Sequence, residues 1–161
     1  MLIRSSVASS LPPFASLAVR LTLLLIRGLA LDGVIRMAFP RDRRYTPTHE
    51  WHRIDGDEVT IGISQFAVDE LTDITYLEVT RTNGHVNAGD AIGEIESVKA
   101  TSDLYTGVTG EVIAVNEKVI ADPSIINQDP YDQGWILRIH INDPNQIESL
   151  LSAENYDASI G

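Results

Sequence analysis

Turn signals cut most of this sequence into pieces too short for long helices. From Tyr45 onward, Asp55-Gly56-Asp57, Asn83-Gly84, Asn87-Ala88-Gly89-Asp90, Thr109-Gly110 and the loop Asn127 to Tyr131 break the chain. They recur roughly every eight to twelve residues, the spacing of a small β-sandwich or barrel. The pieces between them are rich in β-branched residues. Glu58 to Ile63 alternates as a half-buried strand should. Trp51 starts a strand, Ile74 to Thr80 is a β-rich run, and Gly134 to Ile141 is the last strand. Ala91 to Val98 and Leu104 to Val115 flank a short stretch centred on Lys99, as the two arms of a hairpin.

Helical signals are brief. Ser64 is an N-cap for a helix over residues 65–71, where Phe66, Ala67, Glu70 and Leu71 have helical spacing. Residues 116–127 read as irregular, with one helical turn opened by Asp122-Pro123. Asp143-Pro144 begins a helix through Leu151, with proline at its first position. Beyond Glu154 the chain reads as a short helix or a frayed end. The class is therefore mainly β with a few short helices: a small β-sandwich or flattened barrel with a C-terminal helix.

Composition excludes several kinds of chemistry. Among 161 residues there is no cysteine, which rules out disulfides, zinc–thiolate sites and thiol catalysis by the chain itself. Charge is unevenly placed. Residues 1–44 hold seven arginines and two aspartates, +5, whereas residues 45–161 carry −16 of a total −11. A body this acidic argues against nucleic acid and anionic membranes, and for rapid encounter with basic proteins. The four histidines show no metal-ligand spacing, and His52 and His140 fall on strands as ordinary surface or half-buried residues.

Residues 1–36 differ in kind. Leu17 to Leu31 is apolar but broken by Arg20 and Arg27, and its longest uninterrupted run is far below the roughly 20 residues of a spanning helix. Three readings stand: a chain that truly starts at Met37, an arginine-rich and serine-rich transit or signal peptide, or an anchor. The first implies a cytoplasmic protein, the second a mitochondrial one. The folded body is assigned to residues 37–161.

Lys99 is one of only two lysines in residues 45–161, with Lys118. Most turn lysines are solvated and nothing more. Here the surrounding string is unusual: Ser97, Ala100, Thr101 and Ser102 are small and leave the amine approachable, and Glu96 and Asp103 place negative charge where a modifying enzyme can read it.

The octet Glu96-Ser97-Val98-Lys99-Ala100-Thr101-Ser102-Asp103 closely resembles the lipoylation site of the glycine cleavage H-protein family. So do Tyr45 to Trp51, Gly62-Ile63, Gly89-Asp90, Gly110-Glu111-Val112, Asn116, Asn127, Pro130-Tyr131, Gly134-Trp135 and Glu148 to Leu151. The resemblance spans about residues 45 to 156. A biotin carrier has methionine on both sides of its lysine, where this chain has Val98 and Ala100. Lipoyl domains of 2-oxoacid dehydrogenases carry an acid directly before the lysine, where this chain has Val98. Departures lie outside the octet: Thr72 stands where glycine is usual, Gly107 where proline is frequent, and Glu70 where some members have histidine.

The resemblance implies a lipoyl/biotinyl-carrier fold with Lys99 on a hairpin tip and one lipoate in amide linkage to it. It implies a monomeric, non-catalytic carrier. The carrier takes the aminomethyl group of glycine from a pyridoxal-phosphate-dependent glycine decarboxylase to a tetrahydrofolate-dependent aminomethyltransferase. A dihydrolipoyl dehydrogenase re-oxidises the dithiol, and a lipoyl ligase or transferase attaches the group. Thr48, Glu50 and Asp103 would line the cleft that receives the loaded arm. The same shape also serves as a lipoyl relay to other enzymes, the alternative reading. His49 and Glu50 are adjacent in an extended segment and so point apart, which excludes them as an acid–base pair.

Overall fold

The computed structural model describes residues 38–161, so the readings of residues 1–36 and of a start at Met37 lie outside it. Nine strands are present among the described residues: β1 (Arg44–Tyr45), β2 (Glu50–Asp55), β3 (Glu58–Ile63), β4 (Ile74–Val79), β5 (Gly84–Val86), β6 (Ala91–Ser97), β7 (Thr101–Tyr105), β8 (Gly110–Val115) and β9 (Leu137–His140). They form two antiparallel sheets. The larger has the order β1-β2-β3-β9-β8-β5, and the smaller β4-β6-β7. Ile61, Ile139 and Val112 from the first sheet share one buried cluster with Leu77, Ile95 and Leu104 from the second. This is a flattened sandwich, not a closed barrel. Among the described residues no helix is long and apolar enough to cross a membrane.

The β2–β3 hairpin closes as its sequence signal requires. Asp55 pairs with Glu58, and Gly56 takes φ 63° in the two-residue turn. Strand β3 does not alternate, however: from Val59 to Ile63 every residue is buried. The reason is a second apolar layer on its far face. The Trp51 indole lies over Gly62, leaving no room there for a Cβ, and donates from Nε1 to the Pro130 carbonyl at 3.0 Å. Arg43 caps the indole at 4.7 Å and the Tyr131 ring at 5.1 Å.

Helix α1 (Gln65–Leu71) is where Ser64 predicts it, with the Ser64 hydroxyl accepting from Ala67 N. Residues 116–127 are more regular than expected. Two helices, α2 (Glu117–Ala121) and α3 (Ser124–Gln128), replace the single turn, because Asn116 caps the first and buries Val119 while the second buries Ile126. The segment after Asp143 is a 3-10 helix, Pro144–Ser149, and stops short of Leu151. Leu151 instead exchanges backbone hydrogen bonds with Tyr45. The C-terminal helix is α4 (Ala153–Ile160), capped by Ser152 and anchored by buried Tyr156. The last strand is shorter than Gly134 to Ile141, since only Leu137–His140 makes the ladder.

Leu104 to Val115 is not one strand. The ladder beside β6 begins earlier, at Thr101 opposite Glu96, and ends at Tyr105. The chain then crosses to the larger sheet as β8. Thr106 makes the crossing by folding its hydroxyl onto Val108, donating to its carbonyl at 2.8 Å and accepting its N–H at 3.1 Å. The similar Gly-Glu-apolar triplets at 93–95 and 110–112 have one physical explanation. A Cβ on Gly93 would strike the Glu78 carbonyl, and a Cβ on Gly110 the His140 carbonyl. Each glycine lets neighbouring backbones approach closely. Gly93→Ala is expected to cost about 3 kcal/mol, read from the urea midpoint at unchanged m-value.

His52 corrects an expectation, because it is wholly buried rather than on the surface or half-buried. Its Nε2 accepts the Gly107 N–H at 2.9 Å. A proline at 107 would lack that donor, so glycine and histidine act together here. Burial pushes the imidazole down to about 3 from 6.5. The unfolded chain therefore takes up this proton first, and stability falls as pH drops below 6.5. His52→Gln is expected to remove a slope of about 1.4 kcal/mol per pH unit between pH 6 and 4.5, measured as the wild-type-minus-variant difference in denaturation free energy.

Candidate functional site

The tip between β6 and β7 is built by Ser97. Its Oγ accepts the backbone N–H of Lys99 at 3.1 Å and of Ala100 at 3.0 Å, while Ser97 N donates to the Ala100 carbonyl at 2.8 Å. Ser97 thus shapes the turn as well as leaving it open. Val98, 72% exposed, and Lys99 project into solvent. The Lys99 ammonium donates to the Glu70 carbonyl at 3.3 Å, the carbonyl-rich C-terminal end of α1 being the favourable end for a cation.

Glu70 also lines a cleft of about 120 Å³, together with Thr48, Glu50, Leu71, Ile95 and Asp103. The lysine nitrogen therefore stands at the rim of the concavity that contains the three expected docking residues. Thr48 borders a second, larger hollow of about 350 Å³ as well, shared with Tyr105, Gly107 and Leu150.

Glu50 is no solvated edge acid; it is 1% exposed. One carboxylate oxygen, Oε2, accepts the Thr46 hydroxyl and, at 2.5 Å, the Thr48 hydroxyl. The other, Oε1, accepts the Tyr105 N–H at 2.9 Å. Burial raises its pKa, and the three donors pull against that rise. Asp103 lines the cleft but is differently engaged: its carboxylate accepts the Tyr105 hydroxyl at 3.1 Å. It lies opposite Glu94, which lies opposite Glu78, so an acidic row crosses the small sheet. Glu96 flanks that row, opposite Thr101 and Tyr76, and is not part of the cleft.

Sequence reasoning missed Thr46, Tyr105 and Glu70. Thr46 had a usable signal, since Thr46, Thr48 and Glu50 alternate; Tyr105 and Glu70 enter only through the tertiary fold. His49 and Glu50 both line the cleft but bond to different partners, and the segment is not uniformly extended. His49 has φ 79°, and its Nδ1 meets the Tyr156 hydroxyl at 2.8 Å, which in turn contacts Ser64 Oγ at 2.7 Å. Burial lowers the His49 pKa. His85 and His140 sit beside Glu111 and Asp57, and no cluster able to hold a metal exists among the described residues.

A flattened β-sandwich that offers an exposed lysine on a hairpin, beside a partly acidic cleft, has the form of a carrier domain. The family model for the glycine cleavage H-protein matches residues 43–161. The glycine cleavage system H protein of Methylacidiphilum infernorum (isolate V4) is 45% identical over 120 residues, 74% of this chain and 94% of that protein. The crystal structure of a glycine cleavage system H protein from Mycobacterium marinum superimposes with a TM-score of 0.69 at 35% identity, covering 76% of this chain and 98% of that one. This chain belongs to the glycine cleavage H-protein family, whose members are carrier subunits and not catalysts.

Glu50→Ala removes the acceptor for three donors, two of them on β2's own approach and one on β7. It is expected to cost about 3 kcal/mol by urea denaturation, and to speed hydrogen exchange at the Tyr105 amide.

Proposed function

We propose that this chain is the lipoylated carrier of the glycine cleavage system, with one lipoate joined as an amide to Lys99. The observation that carries the reading is the position of Lys99 Nζ. It is exposed on a built turn, yet 3.3 Å from a backbone oxygen of a residue that lines the cleft. The residues present suit the group: a primary amine, small neighbours in Ser97 and Ala100, and no competing thiol anywhere in the chain. When bound, lipoate supplies a dithiolane, a redox sulfur centre that a cysteine-free chain cannot provide.

The chain's own residues do the rest. The sandwich holds the hairpin rigidly, so that only the side chain and what it carries are free to move. Thr48, Glu50 and Asp103 form the docking cleft, where Leu71 and Ile95 exclude water and the two carboxylates favour a cationic amine on the arm. The cargo is the aminomethyl group of glycine. It is taken from the pyridoxal-phosphate decarboxylase to the tetrahydrofolate-dependent aminomethyltransferase, and dihydrolipoyl dehydrogenase restores the disulfide. Glu96 and Asp103, at the edge and end of the acidic row, are the features a lipoyl ligase or transferase reads. Strong net negative charge suits brief encounters with several basic faces. The body acts as a monomer, in residues 37–161, in the cytoplasm.

Incubation with a lipoate–protein ligase, lipoate and ATP is expected to add one lipoyl mass to the peptide holding Lys99, and none to Lys99→Arg. The modified protein is expected to support glycine–bicarbonate exchange by the decarboxylase, with Lys99→Arg reducing it at least a hundredfold at an unchanged circular dichroism spectrum. A lipoylated protein that fails to support exchange would instead be a relay to other enzymes. Absence of the added mass would sink the attachment site itself.

A further inference from the structure

The backbone of the hairpin tip meets the corner where Thr72 and Asp73 join α1 to Ile74, the first residue of β4. Val98 N–H, one residue before the attachment lysine, donates to the Asp73 carbonyl at 3.2 Å. Lys99 Nζ reaches the Glu70 carbonyl just upstream. The corner is not relaxed. Thr72 has φ 64° and ψ −129°, a conformation that a β-branched residue strongly disfavours. Something must hold it there. The Thr72 N–H caps α1 by donating to Val68 O at 2.9 Å, but that bond lies before the strained φ and the ψ that follows it, and leaves the Asp73 peptide free to turn.

Asn127, on α3 and 28 positions beyond Lys99 in sequence, supplies the missing restraint. Its Nδ2 donates to the Thr72 carbonyl at 2.6 Å, and its Oδ1 accepts the Ile74 N–H at 3.0 Å. One carboxamide thus brackets Asp73 from both sides. No aspartate or alanine offers a donor and an acceptor at that spacing. Buried Ile126, the preceding residue, roots α3 in the core and fixes where the carboxamide stands.

We infer that Asn127 is a positioning residue for the attachment lysine: it locks the Thr72–Ile74 corner, and the corner's Asp73 carbonyl sets where Val98 and Lys99 stand. The inference rests on the reading of Lys99 as the lipoyl-attachment site. An attaching enzyme must bring an activated acyl group onto Nζ, and small displacements of a reacting atom reduce such rates steeply. Releasing the clamp lets Thr72 relax to negative φ, swings the Asp73 carbonyl away, and frees the tip.

The strain supplies its own control. Glycine tolerates φ 64° without penalty, so Thr72→Gly keeps the corner in place with less need of Asn127. The test uses the full chain with lipoate–protein ligase, lipoate and ATP, and measures kcat/KM for attachment alongside native-state hydrogen exchange at the Val98 amide. Asn127→Ala and Asn127→Asp are expected to lower kcat/KM about tenfold and to speed Val98 exchange by a similar factor, with exchange of the core strand β9 unchanged. Thr72→Gly in the Asn127→Ala background is expected to recover most of both losses. Variants within twofold of wild type in both readouts, against a normally modified wild type, would overturn the clamp alone. So would a loss that Thr72→Gly leaves unrepaired and that speeds β9 exchange equally, since general destabilisation would then account for it. A wild-type chain that takes no lipoyl group at Lys99 would overturn the carrier reading, and the attachment role of Asn127 with it, whatever Val98 exchange shows.

Discussion

One buried carboxylate ties the two sheets together where the site is formed. Glu50 belongs to the larger sheet, and the N–H it accepts belongs to Tyr105, the last residue of the smaller sheet's edge strand. Burying an ion costs several kcal/mol, and the cost is offset only by full hydrogen bonding. Three donors supply that here, two of them threonine hydroxyls from the turn that leads into β2. Without that convergence the crossing from β7 to β8 would lose its anchor, and the cleft beside the lysine would lose its floor. Glu50 is therefore structural and electrostatic at once. The same side chain braces the sheets and lines the cleft beside Lys99.

The remaining features divide between rigidity and access. Gly93 and Gly110 bring strands close, Trp51 seals the outer face of β3 beneath Arg43, and His52 secures the loop at Gly107. All lie in the body. At the tip the design reverses: Val98 and Lys99 are exposed, and the turn is closed by a single serine side chain. The contrast leaves the position of the exposed tip to the body that carries it, because a mobile body would blur where Lys99 stands.

Strain falls at both borders of the cleft. The two non-glycine residues with positive φ among those described are His49 and Thr72. One sits between Thr48 and Glu50, the other at the end of α1 beneath the lysine tip. Each is held by side chains distant in sequence, Tyr156 and Asn127. Such positions persist only where the surroundings over-determine them. The departure from glycine at Thr72 thus marks a place where this chain relies on its neighbours more heavily than the family pattern requires.

Much was legible in the amino-acid order alone. The mainly β class, the hairpin at Gly56, the cap at Ser64 and the turn that exposes Lys99 all rest on interactions a few residues long, and local rules describe them. Family membership followed from the same strings. What only the tertiary structure decided involves partners far apart: the end of β7 at Tyr105, the burial of His52 and Glu50, the second apolar layer that abolished alternation in β3, and the clamp from Asn127. Helices α2 and α3 escaped notice because helices of five residues owe their existence to the packing of Val119 and Ile126, not to propensity. Desolvation and long-range hydrogen bonding are set by what covers a residue, and an acidic or imidazole side chain gives no sign in its own neighbourhood of what will cover it.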